Sequence, residues 1–185
     1  TGKVVFGDTT FFNGKLPPLE VRRRVTMVFQ TPVFFRGSVE QNVAYGLKLR
    51  GGENVKASVE QILEALDLSH LAKARVSSLS AGEAQRVAIA RALIFEPSVV
   101  LLDEPTANLD PHNVALVEAL IAQAVHERGT TVVLVTQNVF QAERLANDVA
   151  FMLDGKLIEV GPAESIFALA EDQRTRSFVR GEMVY

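Results

Sequence analysis

Hydrophobic residues along this chain change their period several times, and each change predicts an element. Residues 3–7 (KVVFG) and 24–29 (RVTMVF) are short runs rich in β-branched and aromatic side chains, separated by the Gly/Pro-bearing segment 13–18; both read as strands. After Gln30 the pattern moves through a loop into an amphipathic helical stretch that stops at Gly51 and Gly52. Val59, Ile62, Leu63 and Leu66 recur at spacings of three and four, the buried face of a further helix. Ser80, followed three residues later by Glu83, predicts a capping box that opens a helix reaching about Phe95, with Pro97 at its far boundary.

The next run, 99–102, is apolar without alternation, which predicts a strand covered on both faces. Asp110 can cap the helix after it and Pro111 suits that helix's first turn, with Leu116, Val117, Leu120, Ile121 and Val125 as its buried stripe. Residues 130–135 predict a second buried strand, and Asn138 with Gln141 a cap for a short helix behind it. Residues 149–153 and 156–160 flank Asp154-Gly155 as a β-hairpin, followed by a helix near 163–169 and a polar tail. Strands alternating with helices predict an α/β domain with a mostly parallel sheet. The run 36–95 has no strong strand pattern and is expected to be a helical subdomain inserted in one domain spanning 1–185.

Composition narrows the possible chemistry. Hydrophobic residues make up 48% and charged residues 22% of the 185, enough apolar material for a sizeable core. A formal charge of -3 and a pI near 5.7 give no support for nucleic-acid binding, and Arg22, Arg23 and Arg24 are the only basic run. With no cysteine, neither disulfides nor thiolate metal sites are available, and the three histidines lack ligand-like spacing. No stretch approaches the roughly 20 apolar residues a membrane span requires. The expectation is a soluble intracellular domain whose membrane association comes through partners. Thr1 has no Met before it, so the chain is expected to begin within a longer or processed polypeptide.

Two clusters can carry chemistry. Asp103 and Glu104 follow the apolar strand directly, which in an open α/β sheet places them at the carboxyl edge where ligands bind. One carboxylate can hold a divalent metal while its neighbour polarises an attacking water; Asp103 takes the Mg²⁺ role and Glu104 that of general base. A solvent-facing acidic pair is the bland alternative, and Pro105, Thr106 and Asp110 downstream weigh against it. The second cluster is SLSAGEAQR, 78–86. Small residues at 80–82 leave N–H groups open at a helix start, an anion site, and the Ser80 hydroxyl can either cap the helix or bond a γ-phosphate. Arg86 and Arg91 can be solvent-facing residues that snorkel over apolar neighbours. The chain contains no G-x-x-x-x-G-K-[ST] loop, the usual cradle for nucleotide phosphates.

The run SLSAGEAQRVAIARALIFEPSVVLLDEPTANLD resembles the signature motif, Walker B strand and D-loop of the nucleotide-binding domain of ATP-binding-cassette (ABC) transporters. The similarity covers nearly all of the chain, beginning after the phosphate-loop helix would have ended. It implies a P-loop NTPase-like fold, here lacking its N-terminal part and the Walker A region. It implies ATP and Mg²⁺ as cofactors: Asp103 and Gln30 at the metal, Gln30 as the Q-loop glutamine touching metal or water, and Glu104 as the catalytic general base. Ser80, Ala81 and Gly82 would close over ATP held by a second nucleotide-binding subunit, with Asp110 at that junction, in what is expected to be a homodimer. Transmembrane permease subunits would be direct partners and a solute-binding protein an indirect one, with the domain peripheral on the cytoplasmic face of the membrane. Phe34 and Phe35 would line the groove for a membrane subunit's coupling helix, unless their apolarity is ordinary subdomain packing.

Two positions depart from the family pattern. Ala81 stands where the signature usually has its first glycine, and its methyl either crowds the γ-phosphate or fits with a slight shift. Gln137 stands where the switch histidine is usual; an amide can donate to phosphate but does not become a cation near neutral pH. The segment TQNVFQAERLANDVAFMLDGKLIEVG is most similar to the tungstate-type oxyanion importers, so the resemblance implies an importer ATPase coupling hydrolysis to solute uptake. Without a phosphate loop, these 185 residues alone are expected to bind ATP poorly and to turn it over negligibly. The competing reading is a truncated or degenerate non-catalytic cassette acting as a binding or regulatory subunit; a soluble cassette of the translation or DNA-repair type fits less well.

Overall fold

A computed structural model describes residues 3–12, 16–107 and 109–183. Those up to 135 form one unit and those from 136 another. In the first unit, β1 (Val4–Phe6) and β2 (Thr9–Phe12) pair as an antiparallel hairpin, and α1 (Leu19–Arg22) is a single turn leading into β3 (Val25–Val28). Three helices follow before the next strand: α2 (Val39–Leu49), α3 (Val55–Ala65) and α4 (Ala81–Leu93). Then come β4 (Val99–Asp103), α5 (Pro111–Arg128) and β5 (Thr131–Val135). The three long-range strands form a parallel sheet in the order β3-β4-β5, with Val28 opposite Leu102 and Asp103 opposite Val135. The result is a mixed α/β fold: a parallel sheet core with a helical subdomain.

One core joins sheet and helices. Val39 and Val43 of α2, Leu63 of α3, Val87 and Ile89 of α4, Val100 and Leu102 of β4, and Val117 of α5 are each at most 2% exposed. Side chains of this size contribute about 1.5–3 kcal/mol each when fully buried. Two glycines serve definite needs. A Cβ on Gly46 would sit 2.8 Å from the Phe95 ring, so α2 approaches that ring only because the side chain is absent. Gly129 ends α5 at φ +65°, the left-handed conformation that terminates many helices.

In the second unit, α6 (Val139–Leu145) precedes an antiparallel hairpin of β6 (Asp148–Leu153) and β7 (Lys156–Pro162), then α7 (Ala163–Leu169) and α8 (Gln173–Val179). Phe151 packs 4.9 Å from Phe178, and Glu159 accepts hydrogen bonds from the Glu171 and Asp172 N–H groups at the start of α8.

The predicted caps at Ser80, Asp110 and Asn138 all form, as does the hairpin around Asp154-Gly155. Two expectations need correction. The strand of 99–102 was expected to be covered on both faces and that of 130–135 to be buried. Val100 and Leu102 are buried against helices, whereas Val133 and Val135 are 49% and 57% exposed. An apolar run reports hydrophobicity and not neighbours, and β5 is an edge strand among the described residues. The polar tail contains α8, held by Asp172 as its cap and by the buried Thr175. The hairpin partner β2 and the short α1 had no expectation attached to them; of the 13–18 segment, 13–15 lie outside the described residues.

Candidate functional site

Residues at the carboxyl ends of β3 and β4 meet because the two strands are parallel and adjacent. The register ends with Val28 opposite Leu102, so Phe29 and Gln30 after one strand and Asp103 and Glu104 on the other leave the sheet at the same edge. Asp103 is the last residue of β4 and is half-buried; Gln30 is exposed in a bend two residues past the end of β3. Three of the predicted site residues therefore share one sheet edge, where ligands bind in open α/β sheets.

Glu104 leaves the strand abruptly. Its φ is +44°, a left-handed conformation costing a residue with a Cβ on the order of 1 kcal/mol. Its N–H donates to the Val135 carbonyl at 2.9 Å, and its own carbonyl accepts from Ala107 N–H at 3.3 Å, so the turn is fixed from both sides. Leu109 N–H donates to Thr106 O at 3.1 Å and continues the turn towards Asp110. Asn108, within the same run, lies outside the described residues. Asp110 is exposed and caps α5: one carboxylate oxygen accepts the Asn113 N–H at 3.1 Å and the other accepts from the Asn113 side-chain amide. These hydrogen bonds, the backbone one foremost, hold the Asp110 carboxyl below the usual carboxylate range.

The second cluster lies at the start of α4. Ser80 is the N-cap; its hydroxyl donates to Glu83 Oε2 at 2.8 Å and accepts the Glu83 N–H at 3.3 Å, while its own N–H donates to the same carboxylate at 2.7 Å. The bonds from Ser80, its backbone N–H first, depress the Glu83 pKa. Ser80 and Ala81 are exposed and Gly82 is half-buried, so this turn is open at the surface. The N–H groups of a helix's first turn have no carbonyl one turn back, which suits an anion. The Ser80 hydroxyl proton is engaged with Glu83, so donation to a phosphate requires that carboxylate to let go. Gln137 lies in the other unit, exposed, two residues after β5 ends.

The groups present fit a magnesium-bound nucleotide. A carboxylate and a side-chain amide are hard oxygen donors, and Mg²⁺ characteristically takes one or two protein oxygens and completes its shell with phosphate and water. The acidic edge offers oxygen donors to an ion, and the N-terminus of α4, a separate place, offers N–H groups to an anion.

Sequence reading missed a set of buried polar side chains behind these loops. Asn42 and Gln85 are each 2% exposed and Arg86 is 6% exposed, so Arg86 is not the solvent-facing residue its charge suggested. Arg91 places its guanidinium 5.1 Å from the Phe34 ring centroid. Periodicity offered one signal: Asn42 lies three positions after the buried Val39, and Gln85 four before the buried Ile89, so each shares its helix's covered face.

Fold and site together define an α/β domain with a helical layer and an acidic sheet edge. Comparison with known proteins agrees. The model of the ABC transporter family matches residues 2–107. A phosphate import ATP-binding protein of Natronomonas pharaonis is 43% identical over 178 residues, covering 90% of this chain and 62% of that protein. A probable anion import ATP-binding protein of Haloferax volcanii is 41% identical, covering 98% of this chain and 68% of that protein. The solved structure of cbiO1 from Clostridium perfringens, part of the ABC transporter complex cbiONQ, superposes with a TM-score of 0.70 at 30% identity; the match covers 89% of this chain and 70% of that one. The chain belongs to the ABC transporter family, as a nucleotide-binding domain related to phosphate- and anion-type importer ATPases. It spans under two thirds of the length of the first of these relatives. No described helix is long and apolar enough to cross a membrane.

Proposed function

We propose that this chain is the ATP-binding component of an ABC importer whose solute is an inorganic oxyanion of the phosphate or tungstate class. The observation that carries the reading is the shared sheet edge, where Asp103 and Glu104 at the end of β4 and the Gln30 loop after β3 leave two adjacent parallel strands. Asp103 and Gln30 would hold the metal of Mg-ATP, which when bound neutralises phosphate charge. Glu104 would accept the proton of the attacking water, from a backbone held in the left-handed turn. Ser80, Ala81 and Gly82 would close over nucleotide on a second cassette, with Asp110 at the same junction, and Gln137 would donate to phosphate without becoming charged. The relatives' names, phosphate and anion import, support the solute class.

A groove of about 700 Å³ lined by Phe34, Phe35, Arg36, Gly37, Arg75, Val76 and Ser77 would receive a cytoplasmic segment of the permease. Docking there would hold the domain at the cytoplasmic face of the membrane. The reading is tested by reconstitution with the permease subunits: ATP-dependent uptake of phosphate or tungstate, and not of a sugar or amino acid, is expected. Uptake indifferent to oxyanions would remove the solute assignment. The 185 residues alone carry no phosphate loop, and a Kd for Mg-ATP of about 1 mM or weaker is expected; micromolar binding with robust turnover by the isolated chain would overturn that.

A second reading, a non-catalytic cassette that lends its Ser80 surface to an active partner, is favoured by Ala81 and Gln137. It predicts that Glu104→Gln leaves the assembled transporter's turnover unchanged.

A further inference from the structure

The Gln30 loop is gripped at both ends by buried side-chain amides from different helices. At its start, Gln85 of α4 donates from Nε2 to the Phe29 carbonyl over a long 3.5 Å, while Gln85 Oε1 has no hydrogen-bond partner. At its end, Asn42 of α2 accepts the Phe35 N–H at 2.9 Å and returns its own N–H groups to the Phe35 and Ser38 carbonyls, each at 3.0 Å. Between these anchors, no hydrogen bond holds residues 30–34 to the described residues, and Gln30, Thr31 and Val33 are exposed. The span is a five-residue arch on two fixed feet, and Arg91 over Phe34 steadies only its far end.

Burying two amides is costly unless they are bonded, and a half-satisfied one like Gln85 is costlier still. Both amides bond backbone groups of the loop, which packing alone does not require. We propose that Asn42 and Gln85 are positioning residues for Gln30, fixing Phe35 and Phe29 so that movement of α2 or α4 displaces Gln30 bodily. Because α4 begins at Ser80, the same helix then links the phosphate-facing turn to the metal-facing loop. This rests on the reading of Gln30 as functional.

The chain has no cysteine, so single cysteines can report on the loop directly. A spin label at Thr31→Cys is compared with one at Ala119→Cys, an exposed position on α5, in the wild-type, Gln85→Met and Asn42→Leu backgrounds. Gln85→Met keeps length and volume but removes the amide; should Asn42→Leu fail to fold, Gln85→Met decides alone. The expected result is a label at 31 whose rotational mobility rises about twofold or more, with the label at 119 unchanged. Unchanged mobility at 31, or an equal rise at 119, overturns the proposal, since the amides would then be ordinary packing or global stabilisers. In the reconstituted transporter, Gln85→Met is further expected to lower solute moved per ATP about threefold with KM for ATP unchanged. The label measurement needs neither nucleotide nor permease, so an inert transporter would sink the functional reading and leave the clamp result standing.

Discussion

The two faces of the parallel sheet use the same three strands for different ends. On one, Val28, Val100 and Leu102 are at most 3% exposed, packed in the same core as α4 and α5. On the other, Met27 is 45%, Val133 49% and Val135 57% exposed, and the row ends in the half-buried Asp103. Residues alternate between faces with a period of two, so a neighbour in sequence is a stranger in environment. The covered face supplies cohesion. The other face, open among the described residues, carries Asp103 at its rim. Stability and chemistry are therefore separable by single substitutions one residue apart.

Truncating the covered face should have the largest effect on stability. Leu102→Ala is expected to lower the unfolding free energy by about 3 kcal/mol in urea titration, whereas Val133→Thr should change it by less than about 0.5 kcal/mol. Equal losses would mean that the open face is packed in solution. The rim should respond in the opposite way. In the reconstituted transporter, Glu104→Gln is expected to reduce turnover about 100-fold or more with the urea midpoint hardly moved. Asp103→Asn should weaken Mg-ATP binding about tenfold, read by titration at fixed magnesium. A smaller effect is expected at Ser80→Ala, which removes the α4 cap and should cost about 1 kcal/mol of stability.

The last test lies away from both faces. Hydrogen bonds from Arg174, side chain first and then backbone, bring the Asp172 carboxyl from its ordinary 3.8 to about 2. A depressed acid stabilises the fold while ionised, so its contribution is complete above pH 3.8 and disappears as pH falls towards 2. Asp110 and Glu83 are shifted in the same direction. Asp172→Asn should therefore flatten part of the thermal-melt dependence between pH 4 and 2, while at pH 5–8 it lowers the melting temperature by a constant amount without changing the slope.

Much of this was readable from residues in order. Local chemistry at Ser80 with Glu83, at Asp110 with Pro111 and at Asp154 with Gly155 predicted where elements start and turn, because a cap or a hairpin is satisfied within a few residues. The acids at 103 and 104 announced the sheet edge for the same reason. Illegible were the features decided by partners distant in sequence. Asn42 and Gln85 carry the composition of a helix surface, and only the packing of α2 and α4 around the Phe29 and Phe35 backbone takes them out of water. Arg86 was misleading on the same ground. The open face was hidden too, since Val133 and Val135 are as apolar as Leu102 and only the covering helices distinguish them. In α8 the apolar residues are too few to mark a helix, and contacts from Glu159 hold it in place.

The left-handed backbone at Glu104 sets local comfort against chemical duty. Glycine would relax that turn, and asparagine tolerates it better than glutamate does, yet both delete the carboxylate. Variants chosen for thermal endurance alone should therefore drift there towards inert residues, and a screen that rewards only heat resistance would disarm the protein at the position where it has most to lose.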